Sequence, residues 1–195
     1  MNFLAHCALG SAQPHYVVGG FLGDFIKGPV PTDLPEGIQT GIRLHRRIDA
    51  FSALQSEIKK SVLRLPITSR RLAPVFVDLV ADHFLARHFE NAHGEPLTEF
   101  STRTYEILAN HEDHLPPQAI RFARFMRERD LFGLYVDLDP VERAFHRIAQ
   151  RLGREDAVEE SMRALRKHYA EFERDFFLYY PALRAHATEW LASVA

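Results

Sequence analysis

The sequence predicts an all-α fold. Apolar residues recur at three- and four-residue steps along most of the chain, while alternating, β-rich stretches bounded by turns are scarce. Proline and glycine punctuate these runs where helices would begin and stop.

A first short helix is expected at about residues 2–10, stopped near Gly10-Ser11 and Pro14, and a second at about 16–27, closed by Gly28-Pro29. GPVPTDLPE, residues 28–36, reads as a loop. The next helix starts near Pro35-Glu36, reaches about residue 50, and bends or pauses before continuing through ALQSEIKKSVLRL to Pro66. Thr68 or Ser69 caps a helix over about 69–92, with Leu72, Val75, Phe76 and Leu79 on one face and NAHGEP at its end. Further helices are expected from Thr98 to about 111, from Pro116-Pro117 to about 130, and from Asp139-Pro140 to just before Gly153. The last long helix begins near Glu155. Its stripe Val158, Met162, Leu165, Tyr169, Phe172, Phe176 has the spacing of a helix lying in a groove between others, and Pro181 should break it ahead of a terminal helix to about 194.

At 195 residues, with 46% hydrophobic and 26% charged residues, the chain is the right size for one core and ordinary in composition. Residues 1–195 are therefore expected to form a single domain, and disorder, collagen and a disulfide scaffold are excluded. No repeat, low-complexity tract or long linker divides it. The net charge of −2 creates no global field toward nucleic acid or an anionic membrane. Every apolar stretch is interrupted well short of the roughly 20 residues that span a bilayer. The N-terminus MNFLAHCALG lacks the basic and long apolar regions of a signal peptide, so a soluble, cytoplasmic protein is expected. The single cysteine, Cys7, cannot form an internal disulfide or a thiolate metal cage.

The unusual content is 15 phenylalanines and 11 histidines. Four segments set acids and histidines where periodicity predicts burial. In GIRLHRRID, His45 and Asp49 are one helical turn apart on the stripe of Ile38, Ile42 and Ile48, so their side chains should converge. In VFVDLVADHFL, Asp82 and His83 continue the stripe of Val75, Phe76 and Leu79. His6 lies within NFLAH and Asp24 within GGFLGDFI, both strongly apolar. Buried carboxylates and imidazoles need partners. Three histidines and three aspartates suit a divalent ion such as Mn²⁺, which takes mixed imidazole and carboxylate ligands; structural zinc would recruit cysteines that are absent. Such an ion lowers the pKa of a bound water and clamps a phosphoryl oxygen, the chemistry of phosphodiester hydrolysis. A lone His–Asp pair at one-turn spacing is often a structural hydrogen bond, but four such segments in one small chain favour a site.

The other residues read more plainly. His168 is expected to satisfy a neighbouring helix, His15, His93, His111, His114, His146 and His186 to be solvated, Cys7 to be buried and inert, and the Phe-rich FERDFFLYYP to be core. Between Arg43 and Arg71, eight bases stand against two acids, a local +6 in a chain of −2. That stretch can steer an acidic macromolecule or hold phosphate; no aromatic residues interleave with it to stack nucleic-acid bases.

MNFLAH, GDFIKG, GIRLHRRID, DHFL and HYAEFERDFFLYYP, in this order over most of the chain, resemble the acyl carrier protein phosphodiesterase family, also called acyl carrier protein hydrolyase. The resemblance implies an HD-domain-like helical fold related to metal phosphohydrolases. It implies use of Mn²⁺ to cleave 4′-phosphopantetheine from a serine of holo acyl carrier protein. By position it implies His6, Asp24, His45, Asp49, Asp82 and His83 as metal ligands, all but His6 also as catalytic residues; His45, Asp49, Asp82 and His83 are expected nearest the metal, and His6 and Asp24 as further ligands or just behind them. HD enzymes carry a His-Asp doublet, whereas Asp82-His83 stands in reversed order here. Because carrier proteins are acidic around the modified serine, Arg46, Arg47, Arg70 and Arg71 become the expected docking residues. The alternatives are an HD-type hydrolase of a small nucleotide or other phosphodiester, and a non-catalytic module that binds a carrier protein.

Overall fold

The computed structural model describes residues 1–194, so Ala195, the last residue of the expected domain, lies outside it. The described residues form twelve α-helices and no strand, as the periodicity predicts. In chain order they are α1 (Phe3–Leu9), α2 (Pro14–Leu22), α3 (Glu36–Ser52), α4 (Ser56–Arg64), α5 (Ala73–Arg87) and α6 (Phe89–His93). They continue with α7 (Leu97–Asn110), α8 (Pro117–Arg129), α9 (Leu131–Leu134), α10 (Leu138–Arg151), α11 (Asp156–Lys167) and α12 (Tyr169–Val194). Short 3-10 turns occupy Ile67–Ser69 and Glu112–His114. Among the described residues, no helix is long and apolar enough to cross a membrane.

One hydrophobic core runs through the helices, with Phe21, Phe76, Phe84, Phe132, Phe145 and Phe176 fully buried in it. The most extensive helix contact, α2 against α3, follows from two glycines. A Cβ at Gly19 would stand 2.5 Å from the Gly41 Cα, and one at Gly41 would stand 2.6 Å from the Tyr16 carbonyl oxygen. No side chain fits there, so the two backbones approach as only glycine permits. The helix α1 packs on both α2 and α5, while α12 lies along α4 and α3. The early helices thus bring three short sequence segments to one place.

Several boundaries differ from the expectation. The second helix starts at Pro14, whose ring suits a first helical position, and ends at Leu22 rather than 27. The segment expected as one helix over 69–92 is opened by a 3-10 turn and broken at His88, where φ is −118° and ψ is 21°. Phe84 and Phe89 are both buried, yet in an unbroken helix five residues would set them about 140° apart; the break lets both face the core. Val75, expected on the inward stripe, sits at its edge, 36% exposed. The long C-terminal helix breaks at His168 (φ −117°, ψ 29°), and its apolar stripe keeps phase across the joint, so periodicity carries no mark of it. Pro181 does not end α12 but lies inside it. Its ring is on an exposed position, and Phe177, whose carbonyl loses the proline's missing N–H, is also exposed, so water can take that bond.

Candidate functional site

Three residues that the sequence singles out meet at the junction of α1 and α3. His6, His45 and Asp49 each offer a ligand atom within 4.8 Å of the others, a group able to hold a metal ion. The rings of His6 and His45 stack with centroids 3.7 Å apart. His45 is placed by the glycines of α2 and its turn: a Cβ at Gly23 would stand 2.1 Å from the ring, so the imidazole fills the space that glycine leaves. Nδ1 of His45 lies 2.8 Å from the Gly20 carbonyl oxygen. A carbonyl can only accept, so Nδ1 donates to it, which orients the ring with Nε2 toward Asp49, the arrangement usual for a metal-ligating histidine. That Nε2 stands 3.3 Å from Asp49 Oδ2, one helical turn on.

His6 is fully buried and neither of its ring nitrogens has a hydrogen-bond partner. Its Nε2 stands 3.1 Å from Asp49 Oδ1, close enough to feel the charge without completing a hydrogen bond. Buried polar atoms are rarely left without partners, and an imidazole orphaned beside a carboxylate and a second imidazole is what an ion site presents. Burial first, and then the neighbouring His45, push the His6 pKa down to about 3, so the ring is neutral and free to donate a lone pair. Burial works against the charge of Asp49, but His45, His6 and the terminal amine outweigh it and hold the carboxyl well below its usual range. The Asp49 side chain is 46% exposed, so the group opens to solvent on this side.

A further acid, Asp78, joins the group. The Met1 ammonium lies 3.3 Å from Asp49 Oδ1 and 3.1 Å from Asp78 Oδ1, a cation held between two carboxylates. Burial opposes that charge, yet Asp78 and Asp49 keep the amine's pKa above its ordinary value. Burial raises the Asp78 pKa; the amine opposes the rise, while Asp49 and Asp24 add to it. Asp78 precedes Asp82 by one turn of α5, and that i, i+4 relation was the signal available in the sequence.

Asp24 was expected to be buried and is instead exposed, just beyond the end of α2 where the chain turns toward solvent. The surrounding protein still pushes its carboxyl upward, with His45 opposing and Asp49 adding to the rise, so it lies within electrostatic reach of the group. Asp82 and His83 are buried as expected, but their polar atoms are engaged elsewhere. The carboxylate of Asp82 accepts hydrogen bonds from the backbone N–H groups of Leu4 (2.8 Å) and Ala5 (3.1 Å). Those are orphan donors in the first turn of α1, and Asn2 makes no side-chain cap, so Asp82 caps α1 from across the molecule. Burial raises the Asp82 pKa to about 7 against the pull of the two N–H donors. His83 has Nδ1 2.8 Å from the Tyr135 carbonyl oxygen and Nε2 2.8 Å from the Tyr169 hydroxyl, leaving no ring nitrogen free. Burial lowers its pKa.

The four arginines expected to dock a partner have different surroundings. Arg46 donates to the Ile26 carbonyl at 3.1 Å, in the turn that carries Asp24, and Arg47 lies over the Trp190 ring at 5.7 Å. Arg70 and Arg71, ahead of α5, are exposed and make no ion pair among the described residues.

The family model described as acyl carrier protein phosphodiesterase matches residues 1–183. Proteins named acyl carrier protein phosphodiesterase from Escherichia coli O157:H7 and from Escherichia coli strain K12 / DH10B are each 31% identical to the chain over 189 residues, covering 96% of it and 98% of the relative. No solved structure matches. A match over nearly the whole length, carried through the segments that supply His6, His45 and Asp49, establishes that this chain belongs to the acyl carrier protein phosphodiesterase family.

Proposed function

We propose that the chain hydrolyses the phosphodiester between 4′-phosphopantetheine and a serine of holo acyl carrier protein, at a divalent ion held by His6, His45 and Asp49. The products are apo carrier protein and free 4′-phosphopantetheine. The observation that carries the metal reading is the orphaned, fully buried imidazole of His6 beside His45 and Asp49. Two nitrogens, carboxylate oxygens and no sulfur are compatible with Mn²⁺, the ion that the family resemblance implies. Such an ion supplies Lewis-acid polarisation of a phosphoryl oxygen and a water that gives up its proton near neutral pH.

The residues of the chain do the rest. His45 is fixed by its bond to Gly20, which keeps Nε2 aimed at the centre, and His6 stays neutral through the physiological range. Asp49 brings a carboxylate to both imidazoles, and Asp78 faces it across the amine as a further acidic neighbour. In the reaction a water oxygen bonds to phosphorus, the bond to the serine oxygen breaks, and a proton is delivered to that oxygen. Asp24 is our candidate for handling that proton: it is solvent-exposed, its pKa is raised, and it lies within the field of Asp49 and His45. Asp82 and His83 are read as positioning residues, Asp82 by fixing α1 and so His6, and His83 by tying α5 to Tyr135 and Tyr169.

An acidic carrier surface would meet Arg46 beside the Asp24 turn first, with Arg47, Arg70 and Arg71 adding to the field. The continuous core supports reading the chain as one HD-domain-like domain, and a free, buried Cys7 agrees with a reducing, cytoplasmic setting. Intact-mass spectrometry of holo acyl carrier protein incubated with the protein and Mn²⁺ tests the reading. Loss of the phosphopantetheine mass with Mn²⁺, and none with chelator, is the expected result; an unchanged mass with folded, metal-loaded protein would reject it.

A further inference from the structure

Resting on the reading above, we infer that the phenylalanine-lined cleft between α8 and α10 receives the pantetheine arm of the substrate while its phosphate lies at the His6–His45–Asp49 group. The cleft has a volume of about 390 Å³. That is within the range of roughly 300–1,000 Å³ usual for small-molecule sites and near its lower end, the size for one slender group. Phe3, Phe25, Phe122 and Phe125 line it, all only half-buried although phenylalanine is ordinarily enclosed. Their rings form one patch: Phe3 and Phe122 have centroids 4.8 Å apart, and Phe25 is 6.1 Å from each of them. Apolar surface left open as a concave, contiguous patch marks a binding site more often than a scattered exposed residue does.

Position selects the occupant. Phe25 follows Asp24, Leu79 follows Asp78, and Asn2 follows Met1, whose amine reaches both Asp49 and Asp78; all three line the cleft. The cleft and the acidic and imidazole group therefore draw on adjacent backbone positions, and a ligand anchored by a phosphate at the group would extend its next atoms toward the cleft. Chemistry agrees. A pantetheine arm carries a gem-dimethyl carbon, which suits aromatic walls, and two amides, which need scattered donors and acceptors. Asn2 and Gln118 supply both kinds, and Arg147 and Arg151 on α10 are exposed donors with no ion pair among the described residues. No acidic residue lines the cleft.

Filling the cleft tests this. Ala144 and Ile148 are half-buried on its α10 side, so Ala144→Phe and Ile148→Trp add bulk there without removing a core side chain. Free pantetheine, which lacks the phosphate, is titrated by calorimetry into the Mn²⁺-loaded wild type and both variants, and KM for holo acyl carrier protein is measured alongside. Pantetheine should bind the wild type, and each folded variant should bind it about tenfold more weakly and show a comparable rise in KM, with Mn²⁺ content unchanged. Absence of pantetheine binding to the wild type, or equal binding and equal KM in a folded variant, would overturn the inference. Should the wild type leave holo carrier protein intact, the proposed reaction fails by itself, while the pantetheine titration still decides the cleft.

Discussion

Asp49 and Asp82 look alike in the sequence, each beside a histidine on an apolar helical stripe, yet the fold uses them in opposite ways. The neighbours of Asp49 are two imidazoles and the terminal amine, His6 at 3.1 Å, His45 at 3.3 Å and the Met1 nitrogen at 3.3 Å, with one side open to solvent. The neighbours of Asp82 are two backbone N–H groups, and the residue has no exposure at all. Ligands with lone pairs and an open side can exchange partners with an ion. Backbone amides in a closed pocket can do nothing but hold. The kind of groups that surround a carboxylate, rather than its burial, decides what it can do.

Neutralising each aspartate in turn separates the two roles. Asp49→Asn, and separately His45→Ala, should abolish Mn²⁺ retention and turnover while the helical circular dichroism is unchanged, since neither side chain caps the N-terminus of a helix. Metal analysis and mass spectrometry of holo carrier protein check this; a variant that keeps both metal and activity removes that residue from the centre. Asp82→Ala should instead unfold more easily. It leaves two N–H groups of α1 without acceptors, at about 1–3 kcal/mol each. At about 2–4 °C per kcal/mol for a chain of this size, a drop in Tm of several degrees is expected by calorimetry. Its activity should fall only as far as α1, and with it His6, becomes loose; restored activity at low temperature separates this from loss of a ligand.

His83→Phe sharpens the same contrast at smaller cost. The change removes the bonds to Tyr135 and Tyr169, each worth about 0.5–1.5 kcal/mol, and keeps an aromatic ring beside Phe84. Stability should fall modestly and Mn²⁺ stoichiometry should not change. Loss of the metal in a folded His83→Phe protein would return His83 to the centre and show that the ring reorients when an ion is bound.

The contrast also marks how far the sequence could be read. Helical content was legible because burial repeats along each segment, and His6, His45 and Asp49 were legible because polar residues in such stripes stand out. The breaks at His88 and His168 were not, since they depend on which neighbouring helix each half meets. Asp82 and His83 stand out in the sequence for the same reason as His45 and Asp49. Nothing local reveals that the partners of Asp82 lie 77 and 78 residues away on another helix. Beyond its one-turn spacing from Asp82, Asp78 carries no local mark of its place, because its role depends on the amine of Met1, which only the tertiary fold brings near. The phenylalanine cleft is drawn from five separate segments of the chain, so no single stretch carries its pattern.

The smallest expected effect is one of pH, and it asks whether burial or the two N–H donors dominate at Asp82. Burial raises the folded-state pKa from the ordinary 3.8 to about 7. Between those values the folded protein binds a proton at Asp82 that the unfolded chain does not, so this contribution is full below pH 3.8 and is lost as pH rises through 7. Asp82→Asn carries no such titration. The wild-type Tm should therefore lose ground to that of Asp82→Asn as pH is raised from 4 to 8, because the carboxylate that accepts both N–H bonds is the form that burial penalises. A gap that widens instead would mean that the α1 amides stabilise the carboxylate more than burial penalises it, and would make Asp82 a charged cap throughout the physiological range.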